Sequence, residues 1–223
     1  LPIAIKDLTL VSGLPATFGS LALKDTVAQT SDPLVERLET RGAIIVGKTN
    51  TPEFGAGGNT FNAVFGQTRN PWNTSRNAGG SSGGAAVSLA TGEVWLSHGS
   101  DLAGSLRTPA AYCGVTGFKP SAGQLSRRGL MPLAPSMDHV GLIAASVAET
   151  ALVLAAITTA PVAQTPVPCR IGYARSWAQT PASAGGILEI MDEAASSLSL
   201  VGNSIEIVDM PDYPPIEQAG SDI

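Results

Sequence analysis

At 223 residues the chain is long enough for one large α/β domain or two small ones. Charged residues are 14% of it against about 25% in an average globular protein, hydrophobic residues are 43%, and glycine fills 25 positions, which excludes a disordered chain. The net charge is −5 and the 13 Lys+Arg are scattered, with no run longer than Arg127-Arg128, so an electrostatic footprint for nucleic acid is missing.

No apolar stretch approaches the roughly 20 residues that cross a bilayer; Ala151 to Ile157 falls far short. Two cysteines, Cys113 and Cys169, supply neither a disulfide framework nor a CxxC metal site, and their scarcity suits a reducing compartment, the cytoplasm. His98 and His139 have no second ligand at helical spacing, so zinc is not expected. The chain opens Leu1-Pro2-Ile3 without Met or a charged leader and is read as part of a longer protein.

Along the chain, Ile3-Ala4-Ile5-Lys6 alternates as a strand ending at a charge. Asp32 as cap, Pro33 in the first turn, the stripe Leu34, Val35 and Leu38, and Gly42 as stop predict a helix. Ala43 to Val46, apolar throughout, predicts a strand buried on both faces. From Thr51 to Gly84 the glycine-rich, aperiodic run predicts a long functional loop. A helix over Ser82 to Thr91, a strand over Val94 to Ser97 and a helix from Ser105 to Ala111 follow, with Pro109 tolerable only near the start of the last. Ser146-Val147-Ala148-Glu149 fits a capping box before a nearly all-round apolar, hence buried, helix reaching Ile157. Arg170 to Ala174, Gly186 to Leu198 and Ser204 to Val208 read strand, helix, strand. The alternation predicts an α/β layer fold with a largely parallel sheet.

Two motif matches fail on physical grounds. Gly42 to Thr49 satisfies G-x4-G-K-[ST], but its four intervening residues are strand-like and Pro52, Gly55, Gly57 and Gly58 forbid the helix that a phosphate cradle needs. Gly79 to Gly84 holds two overlapping G-x-S-x-G patterns, yet Asn73 to Asn77 before them is polar and turn-like, and His139 is the only histidine downstream. Asn73-Thr74-Ser75 is a formal sequon with no secretory signal to make it meaningful.

A hydroxyl nucleophile without histidine needs another base, and a buried lysine can be neutral enough to serve. Among Lys6, Lys24, Lys48 and Lys119, both Lys6 and Lys48 end apolar strands, where α/β folds gather their active groups. Ser81, Ser82 and Ser105 sit in glycine-rich turns, and Asp101-Leu102-Ala103-Gly104-Ser105 leads into a helix whose first N–H groups could hold an oxyanion.

Taken together, Gly79-Gly80-Ser81-Ser82-Gly83-Gly84, the run Gly99 to Val115, Gly117-Phe118-Lys119-Pro120, Leu1 to Asp7 and Val46 to Glu53 resemble the amidase signature hydrolases, over residue 1 to about 160. The resemblance implies a three-layer α/β/α fold with a mixed, largely parallel central sheet, here 1–223 as a single domain. It implies hydrolysis of a carboxylic amide with no metal or organic cofactor. Ser105 would be the nucleophile, Ser81 the relay and Lys6 the final base. The Gly80-Ser81 peptide would be cis. Leu102, Ala103, Gly104 and Ser105 would form the oxyanion hole through their N–H groups, with Ser82, Asp101 and Arg107 in support. Lys48 also lies in a typical family stretch, but the resemblance assigns the base to the earlier strand. The implied partner is a small-molecule amide, and a homodimer is compatible with it.

Three positions depart from the family's usual residues: Ala103 for glycine, and Leu142 and Ala145 in place of proline and arginine. A positive φ at Ala103 would cost of order 1 kcal/mol and reshape the hole. Two other functions fit the same residues: the amidase subunit of a tRNA-dependent amidotransferase, releasing ammonia from glutamine for a partner, and a non-catalytic amidase-like binding protein. Retention of Lys6, Ser81 and Ser105 argues against the latter.

Overall fold

Ile3 and Ile5 face one side of the first strand and Ala4 and Lys6 the other, and all four are buried, so this strand is covered on both faces. In the computed structural model the described residues are 1–131, 134–158, 167–176 and 186–209. They fall into two compact units, Leu1–Val162 and Ala163–Ile223.

In the first unit the elements are β1 (Pro2–Lys6), α1 (Pro33–Thr40), β2 (Ile44–Thr49), a short hairpin of β3 (Phe61–Asn62) and β4 (Gly66–Gln67), α2 (Gly83–Ala90), β5 (Leu96–Asp101), α3 (Arg107–Cys113), β6 (Thr116–Phe118), β7 (His139–Ala144) and α4 (Val147–Ile157). The five-stranded sheet has the order β2-β1-β5-β7-β6. Both neighbours of β1 run parallel to it, whereas β7 is antiparallel to β5 and to β6, so the sheet is mixed.

The alternation of the central strands sorts the core into two layers. On one face Ile3, Ile5, Leu96, Leu142 and Ala144 pack with Leu34, Val35 and Leu38 of α1 and with Leu154 and Ile157 of α4. On the other, Ala4 and Ile143 pack with Ala85, Ala86 and Leu89 of α2, and with Leu106 and Cys113 on and beside α3. Each large apolar side chain so buried contributes roughly 1.5–3 kcal/mol. Helices on both faces of one sheet make the three-layer α/β/α arrangement. The small residues of α2 let its backbone come close to the sheet, which brings the helix start against the end of β1.

Several elements differ from expectation. β2 is an edge strand with Ile44 63% and Val46 56% exposed, because β1 is its only partner among the described residues. Apolar composition marked it as covered; position in the sheet decides otherwise. β5 starts later than predicted and continues through His98, Gly99 and Ser100 to Asp101, polar residues that pair with β7. β6 and β7 were not anticipated. The α4 capping box is present, Ser146 Oγ accepting from Glu149 N and Glu149 Oε2 from Ser146 N. That helix is nonetheless buried only along Thr150, Leu154 and Ile157, with Leu152 72% exposed. Asp32 occupies the N-cap of α1, but its carboxylate accepts from Leu10 N at 3.1 Å instead of capping.

The second unit has β8 (Arg170–Tyr173), α5 (Ile187–Leu200) and β9 (Ser204–Ile207), the predicted strand, helix, strand, with β8 and β9 parallel. Arg175 and Tyr173 both donate to Asp192 of α5, tying helix to strand. Among the described residues no helix is long and apolar enough to cross a membrane.

Candidate active site

Lys6 ends β1 with its side chain fully buried, and its Nζ lies 2.7 Å from Ser81 Oγ, 2.9 Å from Ser82 Oγ and 3.1 Å from Ser100 Oγ. Three hydroxyls and, among the described residues, no carboxylate within contact distance surround the amine. Burial therefore dominates and pulls its pKa from 10.5 to about 7, against the through-space pull of Asp138 and Asp101. Ser82 Oγ donates its own proton to the Ser100 carbonyl at 3.2 Å, so toward Lys6 it can only accept. Among the described residues Ser81 Oγ has no such outlet, and its one side-chain hydrogen bond is the one it accepts from Lys6.

The loop presenting these serines is held by its neighbours. Thr60 Oγ1 donates to the Gly79 carbonyl at 2.9 Å and accepts from Gly83 N at 3.0 Å, and Gly84 N donates to the Asn50 carbonyl at 3.3 Å. Ser82 sits at the N-cap of α2 but does not cap it, since its hydroxyl is committed to Lys6 and Ser100; Thr60 and Asn50 take over that task. Glycine is needed because a Cβ on Gly83 would strike Thr60 and one on Gly84 the backbone of Asn50. The Gly80-Ser81 peptide is cis, as expected.

The second segment is the turn from β5 into α3. Asp101, fully buried, accepts from Gly104 N at 2.7 Å and Leu106 N at 3.1 Å, and its two oxygens receive Arg107 Nη2 and Nε at 2.9 Å each. Leu106 stands at the N-cap with no polar side chain, so Asp101 caps α3 from a distance. Hydrogen bonds from Arg107, Gly104 and Leu106 outweigh burial and hold this carboxyl well below the usual carboxylate range. Lys119 Nζ donates to the Leu102 carbonyl at 3.0 Å on the other side of the turn. Asp101 and Arg107 thus shape the segment that carries Ser105.

Of the four expected oxyanion donors, Gly104 N–H donates to Asp101 Oδ1 at 2.7 Å, because the carboxylate lies inside the turn. Among the described residues the N–H groups of Leu102, Ala103 and Ser105 have no acceptor. Positive φ falls on Gly104, at 118°, and not on Ala103, so the alanine adds no backbone strain. Leu142 lies fully buried in the core, and Ala145 is exposed.

Ser105 is half-buried, and Ser82 N donates to its carbonyl at 3.1 Å, joining the two serine-bearing segments. Ser81, Ser100 and Ser105 line one small cavity of about 30 Å³ with Leu8, Phe54, Leu102 and Asp138. Sequence reasoning missed Ser100 and Asp138. Ser100 falls beyond the strand predicted over Val94 to Ser97, and Asp138 lies in a stretch with no periodic signal; only the register of β5 and β7 brings both here.

Lys48 is engaged elsewhere: its Nζ bonds Asp7 Oδ1 and the Pro15 carbonyl, each at 2.9 Å. Gly47, Lys48 and Thr49 all continue β2, so no phosphate cradle forms. Among the described residues neither histidine bonds a serine and the buried ring nitrogens of His98 and His139 have no partner, and burial drives His98 down to about 3. No cluster of His, Cys, Asp and Glu able to hold a metal occurs among the described residues.

The sequence matches the Amidase family over residues 1–222. It is 47% identical over 156 residues to the A subunit of the glutamyl-tRNA(Gln) amidotransferase of Anaeromyxobacter dehalogenans (strain 2CP-C), covering 70% of this chain and 32% of that protein. Among solved structures, the A subunit of the glutamyl-tRNA(Gln) amidotransferase from Thermotoga maritima superposes with a TM-score of 0.84 at 32% identity, over 95% of this chain and 50% of the other. Native peptide amidase from Stenotrophomonas maltophilia gives 0.82 at 29% identity, over 95% and 48%. The chain spans about a third of the length of the curated relatives it matches and about half that of these solved chains.

Proposed function

The chain belongs to the Amidase family, and on that premise we propose that it hydrolyses a carboxylic amide through an acyl-serine, with Ser105 as nucleophile, Ser81 as relay and Lys6 as base. The observation that carries this reading is the 2.7 Å bond from Lys6 Nζ to Ser81 Oγ, made by a fully buried amine whose pKa is drawn to about 7. A base titrating near neutrality can take a proton and return it at little expense.

Neutral Lys6 takes the proton of Ser81 as Ser81 takes that of Ser105, and Ser105 Oγ bonds the carbonyl carbon. The carbonyl oxygen gains the negative charge, which the N–H groups of Leu102, Ala103 and Ser105 stabilise. The proton then returns through Ser81 to the nitrogen, the C–N bond breaks, and amine or ammonia leaves an ester on Ser105. Water, deprotonated by the same relay, cleaves that ester and regenerates Ser105 with release of the acid. No step requires a metal or organic cofactor, and cytoplasmic work on a small-molecule amide suits the composition.

In the intact protein Ser105→Ala lowers amide hydrolysis by at least about 10³-fold. A fluorophosphonate followed by mass spectrometry labels Ser105. Label on a different serine, or equal loss of activity in Lys48→Ala without unfolding, overturns the assignment.

A second reading is favoured by the 47% identity to the amidotransferase component: the chain would belong to an amidase subunit that releases ammonia from glutamine for a partner protein. Copurifying partner proteins and glutaminase activity distinguish it from a free-standing amidase.

A further inference from the structure

From Phe54 to Gly92, a span that takes in most of the glycine-rich loop and all of α2, the chain has no Asp or Glu, although it has 18 in all and a net charge of −5. The charged residues of this span are Arg69 and Arg76. An anion meets least repulsion here. Arg69 Nη1 donates to the Thr74 carbonyl at 2.9 Å. Among the described residues the exposed Arg76 guanidinium makes no hydrogen bond and no ion pair. It lines a cavity of about 690 Å³ together with Asn59, Phe61, Gln67, Asn77 and Tyr112, and no carboxylate lines it among the described residues. That volume lies within the range of small-molecule sites, about 300–1,000 Å³. The cavity shares no lining residue with the one between Ser81 and Ser105.

Phe61 of β3 and Gln67 of β4 are direct cross-strand partners, so the hairpin turns both side chains to one face. Phe61 is 59% and Tyr112 53% exposed, which leaves two rings of the wall in water. Asn77 Oδ1 accepts from Gly79 N at 2.9 Å, and its N–H2 remains to donate. The carboxamides of Asn59 and Gln67 have no partner among the described residues. Free donors, a guanidinium and two rings with no carboxylate are complementary to a molecule that brings charged acceptor oxygens on a flat apolar body. A guanidinium gives paired hydrogen bonds to a carboxylate or phosphate, and aromatic rings stack on one another. The same walls reach the segment before Ser81: a Cβ on Gly79 would lie 3.2 Å from the Tyr112 ring, and one on Gly80 2.9 Å from the Asn59 backbone.

We infer that this cavity is a binding site, separate from the catalytic one, for a small aromatic anion, a planar ring carrying a carboxylate or phosphate group. Arg76 holds the charge, the N–H2 groups of Asn59, Gln67 and Asn77 take the remaining oxygens, and the ring packs on Phe61 and Tyr112. Through Asn59, Asn77 and Tyr112 the bound molecule rests against Gly79 and Gly80.

The test titrates the intact protein by calorimetry with phenyl phosphate and with 2-naphthoate. Inorganic phosphate, the charge without the ring, and benzyl alcohol, the ring without the charge, are the comparisons. At least one aryl anion binds with a Kd at or below about 1 mM, both comparisons are weaker by about tenfold or more, and the tighter anion identifies the head group. Arg76→Gln weakens that anion about tenfold or more and Phe61→Ala about threefold to tenfold, both on exposed side chains whose loss leaves the fold intact. Arg41→Gln, which removes the same charge at the end of α1, changes the affinity less than about twofold. With the anion bound, amide hydrogen exchange slows in peptides covering residues 59–67 and 76–80. Binding by neither aryl anion overturns the inference, as does inorganic phosphate or benzyl alcohol binding as tightly as the aryl anion. Unchanged affinity in Arg76→Gln overturns it too, and so does protection confined to residues 100–106. None of these readings depends on which serine is the nucleophile, so the hydrolytic assignment stands or falls separately.

Discussion

Replacing Lys6 with methionine keeps the length of the side chain and removes the amine, which separates the electrostatic consequence of burial from packing. A shift from 10.5 to about 7 corresponds to about 5 kcal/mol, at roughly 1.4 kcal/mol per unit. Below pH 7 the folded and unfolded chains both carry the proton, and folding bears the whole penalty of a buried charge. Between about 7 and 10.5 the unfolded chain holds a proton that the folded chain has released, so stability rises with pH across that window. The wild type therefore gains about 2–3 kcal/mol relative to Lys6→Met between pH 7 and pH 9. Loss of the amine also strands the Ser81 and Ser100 hydroxyls, at about 1–3 kcal/mol each. That cost is independent of pH and displaces the two curves without changing their difference in slope. Urea denaturation of both proteins at pH 6, 7, 8 and 9, with m held constant as the control, measures the difference. Parallel stability curves would refute the reasoning, since Lys6 would then titrate alike folded and unfolded. On the catalytic side, kcat/KM for an amide should climb to a plateau with a midpoint near pH 7. Lys6→Arg should be inactive because a guanidinium does not give up its proton.

Lys48→Ala should keep its activity per folded molecule but lose about 3 kcal/mol of stability, because Asp7 stays buried without its cation; equal denaturation midpoints would contradict this. Gly84→Ala, ordinarily favourable inside a helix by about 1 kcal/mol, should instead destabilise by about 1–3 kcal/mol because its Cβ meets the Asn50 backbone. A raised melting temperature would show that α2 does not pack against that segment. Asp101→Asn should lose about 2–4 kcal/mol and slow fluorophosphonate labelling of Ser105, since one carbonyl oxygen cannot serve Gly104 N, Leu106 N and the Arg107 fork together. Labelling at the wild-type rate would free Asp101 of any part in shaping the turn.

Much of the layout was legible because it depends on local pattern. Pro33 with the Leu34, Val35, Leu38 stripe, the Ser146/Glu149 box, and the strand, helix, strand series from Arg170 onward each carry their signal within a few residues. The ordered glycine and serine runs marked both segments that meet at Lys6, and the resemblance singled out Lys6 over Lys48 when composition treated the two alike. What stayed hidden depends on partners distant in the chain. β2 reads as interior from its apolar run, yet exposure follows from its place at the sheet edge. Ser82 reads as the start of a helix in a glycine-rich turn, yet Lys6 claims its hydroxyl. Gly104 reads as an oxyanion donor, yet the buried Asp101 carboxylate takes its N–H.

Residue identity and spacing, by themselves, determined which side chains could do chemistry and which segments would be strand, helix or turn, because those preferences act over a turn or two of chain. Tertiary structure alone decided that a lysine 75 positions from its serine loses its water, sits 2.7 Å from the hydroxyl and has its pKa drawn down to about 7 by burial. Desolvation and register are properties of the packed sheet, and no stretch of sequence contains them.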